Sequence, residues 1–531
     1  MRSEHEGGST VSIWHDTSDI RRFDTTPELE ADVVIVGAGI AGLTTAYELV
    51  KQGARVVVLD DGPIGGGESG RTSAHLASAV DDHFHMLEDK FGERGAKLVA
   101  ESHSAAIDYI ERTAGELGID CDFQRVPGFL FSPPGKGYDQ SLDKELAAAR
   151  RAGLIVDKVD RAPLPFDTGP ALRFERQAEF HPLKYLRGLA DAIVAAGGKI
   201  HTGVHVEMIE PGEPLTIRLA GGRRMVCQIA VDATNSTITS PVKLTIRQAA
   251  YRTYILGFEI PPGSVPHGLY WDTLDIYHYI RVVRADDGRE VLIVGGEDHR
   301  TGQGDPNAAW AELEAWTRKW FPNAGAIVYQ WSGQVLEPVD GNAHIGASPD
   351  LDHVYVCTGD SGNGLTHGTI AGILLPQLMR GHHHRWTEVY DPKRSKFHAL
   401  GTFVKEASQS SWPYTDWLKR GDVSSEDHIP PGQGALVRHG LHFVAAYRDE
   451  AGVLHKCSAT CTHLRGVVQW NSAEKTWDCP CHGSRFDPYG RVVNGPAPSD
   501  LKSLDEKPEQ PREEPVRETP AGAPPGPELR R

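Results

Sequence analysis

Two stretches of the chain share one pattern: a short apolar run, a glycine-rich turn and then apolar positions at helical spacing. In the first stretch, residues 33–36 are all Val or Ile, which predicts a strand buried on both faces of a parallel sheet. Leu43, Ala46, Leu49 and Val50 follow at helical spacing, and residues 56–59 predict a second strand. Residues 354–379 repeat the order of strand, glycine turn and helix. We therefore predict an α/β domain to which both stretches contribute.

The segment between these stretches contains helical patterns and, later, a series of strands. Helices are predicted over residues 86–118, 141–153, 183–196 and 306–320, and strands over residues 199–207 and 225–232. Strand-like runs dominate residues 246–298, where Asp287 and Gly288 form a hairpin turn signal. We interpret residues 246–330, approximately, as an antiparallel sheet inserted between the halves of the α/β domain.

The same patterns divide the chain into five parts. Residues 1–30 are polar and without a clear period, which predicts a flexible arm. Residues 31–400 form the two-part domain, residues 401–430 a polar connector, and residues 431–505 a small strand-rich domain. Residues 506–531 are rich in Pro and Glu, a composition that favours a disordered tail.

The net charge of the chain argues against some classes of binding partner. Of its 531 residues, 55 are Lys or Arg and 72 are Asp or Glu, for a formal net charge of −17. This excess of acid argues against nucleic acid or an anionic membrane surface as a partner. No apolar run is long enough to span a membrane, and we expect a cytoplasmic protein.

The glycine turns carry the first candidate chemistry. Gly37, Gly39 and Gly42 form G-x-G-x-x-G between a strand and a helix, and Asp60 ends the next strand. Such glycines allow a tight turn, a close approach of the backbone to a pyrophosphate and close packing of helix on strand. The alternative is a glycine-rich turn in an ordinary βαβ unit. A second glycine turn, residues 359–364, opens another helix whose N-terminus can stabilise the negative charge of a reduced flavin, unless it is a turn alone.

With these turns in place, residues 31–400 resemble the D-amino-acid-oxidase-like FAD-dependent oxidoreductases. The resemblance lies in GAGIAGLTTAYEL, SGRTSAH, VDATNS, QVLEPVDGNAHIG and GDSGNGLTHGTIAG. It implies a Rossmann-like α/β FAD domain of the glutathione-reductase type and the oxidation of amines, N-methyl amines or amino acids. The cofactor-binding residues that it implies are Gly37, Gly39, Ile40, Ala41, Gly42, Asp60, Asp61, Gly67, Arg71, Thr72, Ser73, Ala74, Val206, Ala233, Thr234, Gly359, Ser361, Gly362, Asn363, Gly364, Leu365 and Thr366.

Three residues of the inserted sheet are candidates for substrate binding. Tyr277, Tyr279 and Arg281 fall on one face of a strand at period two. Aromatic rings can flank an amine, and a guanidinium can bind a carboxylate with two hydrogen bonds. The family it resembles uses a Tyr and an Arg of its antiparallel sheet in this way. Alternatively, the tyrosines pack in the sheet and Arg281 forms a surface ion pair.

The C-terminal domain contains a second candidate site. Cys461 and His463 precede Cys479 and His482 in the pattern C-x-H…C-x-x-H, which suits a cluster with two thiolates on one iron and two imidazoles on the other. A zinc site is the alternative. CTHLRG and CPCHGSRFDPYGRVVNGPA resemble the cluster loops of Rieske [2Fe–2S] domains, which implies an all-β fold. In respiratory Rieske domains a cysteine at the position of Gly466 pairs with the counterpart of Cys481, so that disulfide is absent here unless Cys457 replaces it.

Together these features resemble bacterial FAD-dependent oxidoreductases with a C-terminal Rieske domain. The resemblance predicts a dehydrogenase that transfers hydride from an amine or amino acid to FAD, with electrons passing to the cluster and then to an external acceptor. We expect the electrons to leave at the iron held by His463 and His482, on loop tips that reach solvent or a partner. A redox carrier or sensor without an organic substrate, and an NAD(P)H-dependent reductase, are the alternatives.

Overall fold

The computed structural model describes residues 8–505, except residues 20, 25, 134, 136, 137, 241, 275, 286, 395–420 and 441. Most of the predicted connector (401–430) and the predicted tail (506–531) lie outside the described residues.

An eight-stranded sheet, mostly parallel, holds the first glycine turn. Its central strand, Glu30–Val36, is buried between parallel neighbours on both sides, as its continuous apolar run predicts. The predicted strand 199–207 is two strands, because Gly203 interrupts it with a positive φ of 72°. In order across the sheet the strands are His344–Ala347, Val354–Thr358, Arg224–Asp232, Glu30–Val36, Val56–Asp60 and Lys199–Thr202, with Leu215–Leu219 paired to Arg224–Asp232 and Val206–Glu210 paired to Leu215–Leu219.

A nine-stranded sheet forms the second layer and is larger than the inserted segment alone. Strands from earlier in the chain join it because Gln124–Phe131 pairs in parallel with Leu269–Asp272, a long-range pairing that local patterns do not reveal. In order the strands are Ile327–Pro338, Gln248–Ile260, Glu290–Arg300, Tyr279–Arg284, Leu269–Asp272, Gln124–Phe131, Ala171–Glu179 and His75–Leu76, with Val156–Val159 attached to Ala171–Glu179.

Two helices of the α/β domain, Ile40–Val50 and Gly364–Met379, cross closely near the glycine turns. A Cβ atom added at Gly368 would lie 2.5 Å from Cγ2 of Ile40, and one at Gly372 would lie 2.2 Å from Cγ2 of Thr44. Among the described residues, no helix is long and apolar enough to cross a membrane. The α-helices are Ile13–Asp16, Ile40–Val50, Phe84–Leu117 (kinked at Gly92), Ser141–Ala152, Pro182–Ala195, Pro306–Trp320, Gly364–Met379 and Thr387–Tyr390, with 3₁₀ turns at Glu68–Gly70, Thr245–Arg247 and Glu426–His428.

The C-terminal domain consists of two small antiparallel sheets around a core of its own. Trp477 is fully buried there and packs beside the two buried thiols Cys461 and Cys479. The first sheet contains Gln433–His439, His442–Arg448 and Leu454–Ser458, and the second contains Gln469–Asn471, Thr476–Asp478, Arg485–Phe486 and Val492–Asn494.

The described part of the predicted flexible arm is packed against both domains. Trp14 is 1% exposed and donates from its indole nitrogen to the carbonyl oxygen of Thr72 at 2.6 Å. Ser9 donates its backbone N–H to the carbonyl oxygen of Glu474 in the C-terminal domain at 2.9 Å. The prediction of a flexible arm fails here because Ile13 and Trp14 bury apolar surface in spite of the polar residues around them.

One buried carboxylate holds the C-terminal domain against the α/β domain. Glu474 accepts from Thr10 Oγ1 at 2.6 Å, contacts Arg71 at 3.2 Å and Arg252 at 3.4 Å, and hydrogen bonds with Ser332. Burial alone would raise the pKa of Glu474, but Arg71, Arg252 and Arg485 more than offset it and lower the pKa to about 2. A carboxylate this buried is tolerable only with such partners, so the docked position is strongly specified.

Candidate active site

One cavity, with a volume of about 330 Å³, is lined by residues of both large sheets, both glycine turns and the C-terminal domain. This volume is in the range of small-molecule and cofactor sites. We call the part lined by Gly37, Gly39, Asp60, Asp61 and His205 the nucleotide region. The tyrosine region is lined by Asp81, Thr253, Trp271, Tyr277, Tyr279 and Asp298.

The nucleotide region is shaped by the first glycine turn. Gly42 packs the helix onto the turn, since a Cβ there would lie 1.9 Å from the carbonyl oxygen of Gly37. Gly39 caps the helix without a side-chain hydrogen bond. The N–H of Ile40 donates to Oγ of Ser69 at 3.1 Å, and the N–H groups of the next residues are suited to an anionic pyrophosphate. Asp60 accepts from the backbone N–H of Ala38 at 2.5 Å and of Gly62 at 2.8 Å, while Asp61 contacts His205 at 3.0 Å. The residues present therefore fit a dinucleotide.

The second glycine turn brings the opposite sheet to the same cavity. Leu336 donates its N–H to Asp360 at 2.8 Å, and burial raises the pKa of Asp360 to about 7. Asn363 caps the helix Gly364–Met379 and its side chain does not bond to the first turn. A second uncapped helix N-terminus thus lines the cavity, as the flavin interpretation predicts.

The structure brings most of the predicted cofactor residues to this cavity. Those that line it are Gly37, Gly39, Ile40, Ala41, Asp60, Asp61, Gly67, Arg71, Thr72, Ser73, Val206, Ala233, Thr234, Gly362, Asn363, Gly364 and Leu365. Gly42, Ala74, Gly359, Ser361 and Thr366 lie behind the wall. Ser361 bonds to Asp82 and Glu337, and Thr366 to the carbonyl oxygen of Asn363, so these side chains support the turn.

The tyrosine region is held by hydrogen bonds between side chains that are far apart in sequence. Tyr277 donates to Oδ2 of Asp81 at 2.6 Å, and the hydroxyls of Tyr279 and Thr253 are 2.7 Å apart. The two tyrosine rings have centroids 5.9 Å apart at 53°. Tyr279 lies over Gly295 on the neighbouring strand, where a Cβ would be 2.1 Å from its ring.

Arg281 does not line the cavity, contrary to the prediction that it anchors a substrate carboxylate. Its guanidinium donates to the carbonyl oxygens of Ala74 at 2.6 Å and Ser73 at 3.3 Å, and lies 3.7 Å from Glu179. The side chain is 3% exposed, so the surface ion pair that was the alternative is also wrong. The guanidinium of Arg281 therefore stabilises the loop through Ser73 and Ala74.

The four predicted cluster ligands come together between two loops of the C-terminal domain. The thiols of Cys461 and Cys479 hydrogen bond to each other, and the rings of His463 and His482 have centroids 5.0 Å apart. Nδ1 of His482 is buried without a hydrogen-bond partner, as suits a ligand nitrogen. No three His, Cys, Asp or Glu side chains of the described chain converge on a single ion site, whereas a Rieske cluster requires only two protein ligands on each iron.

At the position of the missing disulfide, Gly466 lies directly against Cys481. A Cβ at Gly466 would lie 2.5 Å from Sγ of Cys481, so a glycine stands where Cys481 would meet a disulfide partner. Cys457 does not replace that partner, because no cysteine is bridged and Cys457 contacts the carbonyl oxygen of Ala445 at 3.7 Å.

The loop that carries His482 packs against the α/β domain. Gln334, which lines the cavity, donates to the carbonyl oxygen of Gly483 at 3.1 Å. A Cβ at Gly302 would lie 2.8 Å from the backbone nitrogen of Pro480. His482 is 8% exposed and His463 is half-buried, so the expectation that both ligands lie on solvent-reaching loop tips is wrong for His482.

Sequence reasoning missed functional residues that come from outside the glycine turns. Asp81, Asp298, Thr253 and Trp271 line the tyrosine region, and no local motif marks them. The C-terminal domain also contributes to the cavity wall, through Val492, Val493, Asn494, Gly495 and Ala497. The glycine pair Gly295–Gly296 is the one local signal that could have indicated a close approach on this sheet.

Comparison with known proteins decides the family. Residues 32–378 match the family described as FAD dependent oxidoreductase, and residues 419–505 match the Rieske [2Fe-2S] domain. The chain belongs to the FAD-dependent oxidoreductase family. The oxidoreductase has a C-terminal Rieske domain, and its cofactors are FAD and a [2Fe–2S] cluster.

The relatives of the oxidoreductase agree with this assignment. It is 32% identical to YhfW of Bacillus subtilis, described as a Rieske 2Fe-2S iron-sulfur protein, over 93% of this chain and 97% of that protein. It is 27% identical to the gamma-glutamylputrescine oxidoreductase of Escherichia coli, over 68% of this chain and 86% of the other. The glycine oxidase of Geobacillus kaustophilus shares the fold of 70% of this chain and all of its own, with a TM-score of 0.59 at 18% identity.

Proposed function

We propose that this oxidoreductase is a dehydrogenase that oxidises an amine, an N-methyl amine or an amino acid and delivers the electrons through its Rieske domain. When bound, FAD supplies the acceptor for the hydride of the C–H bond next to nitrogen, and the cluster supplies a one-electron path to an external acceptor. The organic product is an imine, which water hydrolyses to a carbonyl compound and either ammonia, from a primary amine or amino acid, or an amine, from an N-methyl amine.

The residues of the tyrosine region support an enzyme over a redox carrier. Tyr277 and Tyr279 line the cavity, so there is a place for an organic substrate beside the predicted flavin site. Similarity to the gamma-glutamylputrescine oxidoreductase also supports an amine or amino-acid substrate. A carrier or sensor would need no such lined space.

The contact between Gln334 and the His482 loop is the observation that carries the electron path. Gln334 lines the cavity and bonds to Gly483, the residue that follows a cluster ligand. Asn494, also of the Rieske domain, lines the cavity and donates to Glu68 at 3.4 Å. The cluster loop and the predicted flavin site therefore share a wall, which favours transfer inside one molecule over transfer to dissolved oxygen.

The test removes the cluster and keeps the flavin. Cys479→Ser, checked for FAD content, is mixed anaerobically with a panel of amines and amino acids, followed by cytochrome c as a one-electron acceptor protein. We expect flavin bleaching at the wild-type rate and cytochrome c reduction slowed by at least tenfold. Cys457→Ser is the matched control, because Cys457 is a buried thiol of the same domain outside the ligand set.

Two results would contradict the proposal. Cytochrome c reduction at the wild-type rate in Cys479→Ser would exclude the cluster from the path. Failure of every amine and amino acid in the panel to bleach the flavin of the wild-type protein would exclude the proposed substrate class.

A further inference from the structure

We propose that the tyrosine region selects a cationic amine, with Asp81 and Asp298 as receptors for the ammonium group and no requirement for a substrate carboxylate. This inference rests on the proposed function and narrows its substrate class. Its basis is the charge, hydrogen bonding and ring arrangement of the residues that line the cavity.

The cavity wall is rich in acid and poor in available cations. Among the described residues that line it, Arg71 is the only lysine or arginine. Arg71 is 2% exposed, and its guanidinium is paired with Glu474 at 3.2 Å and bonded to the carbonyl oxygen of Thr10 at 3.0 Å. Arg281 is engaged outside the cavity. The carboxylates that line the cavity are Asp60, Asp61, Glu68, Asp81, Asp298 and Asp360.

Asp298 lines this wall, and one of its two carboxylate oxygens has no hydrogen-bond partner. Its Oδ1 is buried and has no hydrogen-bond partner, an arrangement that costs free energy unless a ligand or another donor satisfies it. Asp81 accepts from Tyr277 at one oxygen, Oδ2, and lies against the second glycine turn, where a Cβ at Gly362 would be 1.7 Å from that atom. A protonated amine supplies N–H donors for these carboxylate oxygens and a positive charge that balances their negative charge.

Aromatic rings complete the surroundings of the two carboxylates. Tyr277 and Tyr279 are tilted at 53° to each other, and Trp271 lines the same region. Aromatic faces attract cations, most strongly where water is excluded. A substrate carboxylate would instead meet ring faces and acids of its own charge.

The protonation of the pair is consistent with a cationic ligand. Burial raises the pKa of Asp81 to about 7, opposed by the Tyr277 hydrogen bond and reinforced by Asp82. Burial also raises the pKa of Asp298 to about 7, with Thr253 and His278 lowering it and Asp81 and Glu297 raising it. A bound cation restores a counter-charge and favours the ionised carboxylates.

The test compares three ligands of similar shape on the FAD-loaded protein by isothermal titration calorimetry. Choline is a cation without N–H donors and therefore tests the charge and the ring contacts, 3,3-dimethyl-1-butanol is its neutral isostere, and glycine betaine is a zwitterion that carries the same cationic group with a carboxylate. We expect choline to bind at least tenfold more tightly than the neutral alcohol and at least as tightly as glycine betaine. Equal affinity for choline and the alcohol, or clearly tighter binding of glycine betaine, would overturn the inference.

Variants assign the effect to the two carboxylates. Asp298→Asn and Asp81→Asn should each weaken choline binding at least tenfold, with FAD content unchanged. Asp287→Asn is the control, because Asp287 is an exposed acid at the turn of the hairpin whose strands carry Tyr279 and Asp298. Wild-type affinity in both cavity variants would overturn the assignment. Since binding is measured without turnover, a protein that binds choline but oxidises no amine would contradict the proposed function alone.

Discussion

The nucleotide region and the tyrosine region of the cavity are built in different ways. In the first, the wall at the start of the helix is backbone: Gly37 and Gly39 line it, Gly42 packs the helix onto the turn behind it, and the N-cap glycine has no side chain that could bond to the helix. In the second, side chains from two loops and four strands form the wall, and their mutual hydrogen bonds hold Asp81 against Tyr277 and Thr253 against Tyr279.

Because of this difference, we expect the two regions to tolerate substitutions to different degrees. A Cβ atom added at a glycine of the turn should disrupt the nucleotide region, because neither the turn nor the helix can move independently of the sheet. A wall built from side chains can lose one hydroxyl and keep its shape, so single substitutions there should tune affinity gradually. Four predictions test this contrast.

The largest effect is expected at Gly42. The Cβ of Gly42→Ala would lie 1.9 Å from the carbonyl oxygen of Gly37, which forces the helix away from the turn. The FAD content of the purified protein, measured by absorbance after release, should fall at least about tenfold. Gly115→Ala is the control, because its Cβ would meet nothing within 4 Å in a helix interior, and stability there should rise by up to about 1 kcal/mol. Full FAD content in Gly42→Ala would show that the turn adapts.

The second prediction concerns the side chain that docks the Rieske domain onto the cavity wall. Glu474→Ala leaves Arg71 and Arg252 buried without their carboxylate, which should lower the free energy of unfolding by about 3–5 kcal/mol. Urea unfolding, followed by the visible circular dichroism of the cluster, measures this change. Glu450→Ala, at an exposed glutamate of the same domain, should stay within about 0.5 kcal/mol of wild type. Equal midpoints for both variants would argue against a docking role.

A smaller effect is expected from pH. Asp81 and Asp298 have pKa values raised to about 7, so they are protonated below that pH and ionised above it. A cation binds the ionised form, and choline affinity should therefore rise about tenfold between pH 6 and pH 8. The double variant Asp81→Asn/Asp298→Asn should lose most of this dependence, and the remainder should come from Asp360, which lines the same cavity with a pKa also raised to about 7. A flat wild-type profile would contradict the assignment.

The smallest effect is expected at Tyr277. Tyr277→Phe removes the hydroxyl that donates to Asp81 at 2.6 Å and keeps the ring. Loss of that hydrogen bond raises the pKa of Asp81, so the midpoint of the choline profile should move to higher pH, with a cost of about 0.5–1.5 kcal/mol at neutral pH. Tyr277→Leu, which also removes the ring, should weaken binding further. Identical affinities for the two variants would mean that the ring contributes nothing.

The same contrast explains what could be predicted from sequence. The glycine turns were found because their chemistry is local: each motif carries its strand, turn and helix within a few residues of one another. The cluster ligands were found for the same reason, since two short loops supply all four.

Arg281 shows where local reasoning ends. Tyr279 and Arg281 do alternate along one strand, pairing with Gly295 and Ile293. The loop through Ser73 and Ala74 lies over Arg281 and accepts its guanidinium hydrogen bonds, whereas Tyr279 lines the cavity. Period two gives the face of a strand but not the segment that covers it. Asp81 and Asp298 were missed because only long-range packing brings them beside the tyrosines.

The contact between Thr10 and Glu474 bears on the order in which segments of the chain come together during folding. Residues 9 and 10 emerge from the ribosome first, and their partner in the Rieske domain emerges hundreds of residues later. The sheets of the oxidoreductase domain can therefore form before Thr10 contacts Glu474. The docked loop around Gly483 is covered by Ala250 and Gln334, so docking shields the His482 side of the cluster site. We therefore expect the contact between Thr10 and the Rieske domain to form late in folding, after the sheets of both domains.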